Sequence, residues 1–116
     1  MNRRLAALAV LACVLSTPAF GHARLLEQSP KADATLSVPP REVRLMFSDY
    51  LEPEECRVAV SDAKGRSVAA APPAIARDLV VVKLKSLPPG RYRVEWHAVS
   101  EDWHRTRGAY EFTVKK

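Results

Sequence analysis

Beyond its first twenty-odd residues, the chain is organised by a repeat of two. In Glu42-Val43-Arg44-Leu45-Met46-Phe47-Ser48 the apolar positions Val43, Leu45 and Phe47 fall on one side of an extended segment. Tyr92, Val94, Trp96 and Ala98 alternate with Arg91, Arg93, Glu95 and His97, and Tyr110, Phe112 and Val114 alternate with Glu111, Thr113 and Lys115. Leu79 to Leu84 is a β-branched run that stops before the turn Pro88-Pro89-Gly90. Period-2 alternation is what a sheet with one wet face requires, and no segment shows the 3.6 period of a long helix. Weaker strands are expected near residues 24–28, 56–61 and 66–70, with 69–74 a loop. About seven short strands predict an all-β fold, a small antiparallel Greek-key barrel or immunoglobulin-like sandwich.

The first residues follow a different logic. Arg3 and Arg4 precede an apolar run from Leu5 to Leu15, then Pro18 and the small residues Ala19 and Gly21. This is the layout of a secretory signal peptide, and the run is too short to span a bilayer stably. The expected organisation is therefore a signal over 1–21 and a single β-sandwich domain over 22–116. Cleavage after Gly21 makes His22 the first residue. Cleavage after Ala23, or acylation at Cys13, are the alternatives.

Composition narrows the function classes. The 116 residues include 18 Lys+Arg and 13 Asp+Glu, a net charge of +5 that falls to +3 without Arg3 and Arg4. These charges alternate in sign along the chain, and nucleic-acid binding would need a concentrated basic stripe, so that class is set aside. Cys56 is the one cysteine after the signal, so no internal disulfide forms. It shares parity with Val58 and Val60, which predicts an inert core thiol. By the same parity Trp96 belongs to the core, and His97 is a solvated surface histidine.

Chemistry concentrates at two places. A free amine and an imidazole on His22 can chelate one ion, and copper(II) favours nitrogen ligands in tetragonal geometry. In Ser100-Glu101-Asp102-Trp103-His104, residues two apart point to one side of an extended segment, so Asp102 and His104 can converge. Asp49 ends the 42–48 strand and can reach the amine or ion as a supporting group, or serve simply as a turn residue. Trp103, between the two candidate ligands, either shields the site or packs on the sandwich edge.

Taken together, these residues resemble the CopC family of periplasmic copper-binding proteins. The likeness runs from His22-Ala23-Arg24-Leu25 through Ser29-Pro30 and Leu45-Met46-Phe47-Ser48-Asp49. It continues through Leu87 to Trp96, Ala98 to His104, and Gly108 to Val114. It implies a Cu(II) site, one ion per chain, made by the His22 amine and ring with Asp102 and His104. Asp49 stands where the family often has Glu, and Arg105 where it often has Pro. Some members add a Cu(I) site in a methionine-rich loop, but Met46 is the one methionine after the signal, so Cu(II) alone is expected. The resemblance further implies a periplasmic carrier or buffer in copper resistance, not an enzyme, working with a separate inner-membrane partner of the CopD type. The competing readings are a copper-dependent oxidative enzyme using the histidine chelate and a metal-free exported sandwich.

Overall fold

The computed structural model describes residues 23–116. The expected signal over 1–21 and the candidate ligand His22 lie outside the described residues. Eight strands follow one another: β1 (Leu25–Ser29), β2 (Thr35–Leu36), β3 (Glu42–Phe47), β4 (Arg57–Asp62), β5 (Ala74–Ala76), β6 (Leu79–Lys83), β7 (Gly90–Val99) and β8 (Arg105–Val114). A 3-10 turn, Pro53–Glu55, precedes β4.

The strands make two four-stranded sheets, in the orders β1-β3-β6-β5 and β2-β8-β7-β4. All pairings are antiparallel except β2 with β8, which run parallel through Thr35–Thr113 and Leu36–Val114. The all-β sandwich expected from the alternation is therefore present, with one parallel pair at an edge.

The inner faces carry the alternating residues. Val43, Leu45, Phe47, Val80 and Val82 come from one sheet; Val60, Tyr92, Val94, Ala98, Phe112 and Val114 come from the other; all are buried. Burying one such side chain contributes about 1.5–3 kcal/mol, so this layer is the main favourable contribution to folding. Within one sheet Tyr92 and Phe112 stack with ring centroids 5.4 Å apart, and across the layer Phe47 meets Trp96 edge-on at 6.4 Å.

Several elements differ from expectation for identifiable reasons. The 66–70 segment forms isolated bridges, Ser61–Ser67 and Ala69–Leu84, without becoming a strand, and β5 begins inside the expected loop at Ala74. β8 starts at Arg105 rather than near residue 109. Its first inward positions are Thr106 and Gly108, which break the apolar alternation. Gly108 is required there: a Cβ at this position would lie 2.2 Å from Trp96 Cζ2, so the indole occupies the space that a side chain would fill. Trp96 is accordingly only partly buried, packed against the core rather than enclosed in it.

Cys56 is buried as expected, its sulfur 3.3 Å from the Val99 amide and 3.5 Å from the Val99 carbonyl. Burial pushes its thiol above the ordinary range, which disfavours the reactive thiolate. Among the described residues, no helix is long and apolar enough to cross a membrane.

Candidate metal centre

One end of the sandwich gathers the start of β1, the end of β3 and the β7–β8 connection. Ala23, the first described residue, is fully buried, and its carbonyl accepts a 2.7 Å hydrogen bond from the Thr106 hydroxyl on β8. Arg24 and Ser48 exchange two bonds: the Arg24 amide donates to Ser48 Oγ, and the Ser48 amide donates to the Arg24 carbonyl, both at 2.8 Å. The chain is thus clamped between β3 and β8 at the residue following His22.

The lengthened β8 leaves only Ser100–His104 between the two long strands, and this loop is a turn, not an extended segment. The Ser100 amide donates to the His104 carbonyl at 3.0 Å, and the Trp103 amide donates back to the Ser100 carbonyl at 2.8 Å. Trp103 adopts the left-handed conformation with φ of 66°, uncommon for a bulky side chain and costing of order 1–3 kcal/mol. Asp102 and His104 do converge, with Asp102 Oδ2 2.9 Å from His104 Nδ1. The turn, rather than the strand parity expected from sequence, brings these two side chains together.

Ser100 orients the pair. It is fully buried, and its hydroxyl donates to Asp102 Oδ1, the same oxygen that lies 3.4 Å from the His104 amide. These bonds stabilise the charged carboxylate, so Asp102 is held below the ordinary carboxylate range, first by Ser100 and then by His104. Neither Ser100 nor Thr106 was identified from sequence. The spacing Ser-x-Asp ahead of His104 is the local signal for Ser100; nothing local marks Thr106.

The loop is tied to the segment after β3. The Glu101 amide donates to the Tyr50 carbonyl at 2.9 Å, the Glu52 amide to the Val99 carbonyl at 2.8 Å, and Leu51 bridges Ser100. Asp49 is therefore brought to the same end of the sandwich. Its carboxylate accepts from the next amide, Tyr50 N, at 2.8 Å, which is the bond of a turn residue. Among the described residues, no three of His, Cys, Asp and Glu form a metal-sized group. His97 lies on the outer face of β7, half-buried, opposite Arg57 and Arg107. Met46 stands on β3 opposite Leu79.

These features define a class: a small β-sandwich with an orientated Asp–His pair on an end loop beside its clamped amino-terminal strand. The chain belongs to the CopC family, whose domain model matches residues 25–115. It is similar to Protein YobA of Escherichia coli K12, 36% identical over 114 residues that cover 94% of this chain and 92% of that one. The crystal structure of CopC from Methylosinus trichosporium OB3b superposes with a TM-score of 0.74 at 28% identity, covering 81% of this chain and 94% of that chain. PcoC, a methionine-rich copper resistance protein from Escherichia coli, gives a TM-score of 0.68 at 33% identity, covering 81% and 99%.

Proposed function

We propose that the protein is a periplasmic Cu(II) carrier or buffer in copper resistance, binding one ion per chain and catalysing no reaction. The observation that carries this reading is the Asp102–His104 pair, held 2.9 Å apart by Ser100 at the end of the sandwich where the chain emerges next to His22. Signal cleavage after Gly21 would free the His22 amine, and a trans peptide step is only about 3.8 Å between Cα atoms. His22 is thus bonded to a residue fixed against β8. Amine, two imidazoles and one carboxylate make an N3O set matched to Cu(II).

Because His104 Nδ1 already meets Asp102, coordination by both groups requires that pairing to open, or His104 to bind through Nε2. Asp49 supports the site from the adjoining turn rather than ligating. The family membership and the copper-resistance role in the name of PcoC support the cargo. PcoC is described as methionine-rich, whereas Met46 is the single methionine after residue 22 here, which supports Cu(II) without a Cu(I) site. The ion is exchanged with a separate inner-membrane transporter of the CopD type.

The test is thermal. A ligand at a hundred times its Kd adds about 2.7 kcal/mol to stability. Cu(II) should raise the Tm of the protein beginning at His22, and the rise should be largely lost in Asp102→Ala and His104→Ala. Identical melting with and without copper would leave a metal-free sandwich.

A further inference from the structure

The fold assembles a charge pattern that the linear sequence does not show. Five arginines project from the outer face of the β8-β7-β4 sheet. The two distant from the loop are paired: Arg91 with Glu111 at 2.8 Å and Arg93 with Glu95 at 2.7 Å. Arg57, Arg105 and Arg107, nearest the loop, have no carboxylate within 4.0 Å among the described residues. Arg57 donates instead to the backbone carbonyls of Glu54 and Cys56. Register places Arg57 opposite His97 and His97 opposite Arg107, one row across three strands, with Arg105 two residues along β8 on the same face. Like charges gathered on one sheet face disfavour folding; Arg57 has the Glu54 and Cys56 carbonyls to bond, whereas no carboxylate among the described residues offsets Arg105 and Arg107.

In the loop beyond the row, Trp103 is 61% exposed and has a left-handed backbone. Tyr50, 47% exposed, lies on the segment bonded to the loop through Glu101. Trp, Tyr and Arg are the residues that most often carry binding energy at protein interfaces. Glu54 and Glu55, just before Arg57 in the chain, and Glu101 in the loop are all exposed. A uniformly anionic membrane would be repelled by those carboxylates, whereas a protein surface can present acidic groups only where the arginines are. The row ends at Arg105, the residue that follows His104 in the chain.

We propose that Arg57, Arg105 and Arg107, with Trp103 and Tyr50, form a docking surface for an acidic, copper-accepting protein. The proposal rests on the copper reading of the Asp102–His104 site. It makes the arginine face the device that brings donor and acceptor sites together.

The test uses two synthetic acceptor peptides with the same Cu(II)-binding Gly-Gly-His head and a tail of four glutamates or four glutamines. Electrostatic steering raises association rates by about 10-fold or more at low ionic strength. The copper-loaded protein should therefore pass Cu(II) to the glutamate peptide on the order of ten times faster than to the glutamine peptide. The difference should close in about 0.5 M salt and vanish in the R57E/R107E variant, while Arg107→Lys preserves it. Anisotropy of the labelled glutamate peptide against metal-free protein reads docking separately. Docking without copper binding would thus sink the copper reading and not the surface. Equal transfer to both peptides, or co-sedimentation of the protein with phosphatidylglycerol vesicles in preference to peptide binding, would overturn the proposal.

Discussion

His104 Nδ1 and Asp102 Oδ2 meet at 2.9 Å across Trp103, whose left-handed backbone closes the turn between them. The same carboxylate takes the hydroxyl of the fully buried Ser100 on its other oxygen. The turn and the buried Ser100 hydroxyl therefore hold the two side chains in one arrangement.

Ser100→Ala removes the hydrogen bond that contributes most to keeping Asp102 ionised. The Asp102 carboxyl should then titrate higher, closer to the ordinary carboxylate value, as read by NMR. Loss of a group that orients a ligand typically weakens metal binding by about 10–100-fold, and a chelator competition should show a loss in that range. Unchanged titration and affinity would mean that Ser100 serves packing alone.

Thr106→Val removes the bond to the Ala23 carbonyl while keeping the side-chain shape. A buried carbonyl left without its donor costs about 1–3 kcal/mol. Amide exchange at Arg24 and Ser48 should accelerate, and copper affinity should fall with the sandwich still folded. Affinity equal to that of the parent would show that the clamp at Ala23 has no part in the site.

Gly108→Ala sets a methyl group against the Trp96 indole, 2.2 Å from its Cζ2. Overpacking of this kind costs about 1–3 kcal/mol, so the urea midpoint should drop and the Trp96 fluorescence should change. Copper affinity should hold, because the clash lies away from the loop.

Acid should destabilise the metal-free protein through identifiable carboxylates. Glu42 is held below its ordinary value by Lys83 and then Arg44, Asp62 by the Arg66 amide, and Asp102 by Ser100. A carboxylate depressed in the folded state stabilises above its unfolded pKa of about 4 and loses that contribution as pH falls through the folded value. Melting temperature should therefore change little from these groups between about pH 7 and 5 and decline below about pH 4. Lys83→Ala should shallow the decline, since it removes the strongest influence on Glu42. Copper loss should begin at higher pH, where protons compete for the amine and imidazoles.

Much of this architecture was legible because one sheet face is dry and the other wet. Val43, Leu45 and Phe47, or Tyr92, Val94 and Ala98, have no other arrangement that buries all three. Legibility failed where the inward position is not a large apolar residue. β8 begins four residues earlier than its alternation suggested because Gly108 yields its space to Trp96. The short β5, Ala74–Ala76, carries too little apolar surface to announce itself. Asp102 and His104 do lie together as their spacing suggested, although the loop that joins them is a turn. Ser100 and Thr106 escaped because a buried hydroxyl looks like a solvated one until the fold shows what encloses it. The arginine row escaped because Arg57 and Arg107 are fifty residues apart in the chain and meet only through β7.

The central claim is that Cu(II) is bound by the His22 amine and ring together with Asp102 and His104. It is tested most directly by titrating Cu(II), against a competing chelator, into protein beginning at a free His22 and recording electron paramagnetic resonance. A parallel sample carries extra residues before His22. The account predicts one tight equivalent with a nitrogen-rich tetragonal spectrum in the first sample and a steep loss of affinity in the second. Weak, unsaturable binding in the first sample, or equal affinity in both, would contradict it.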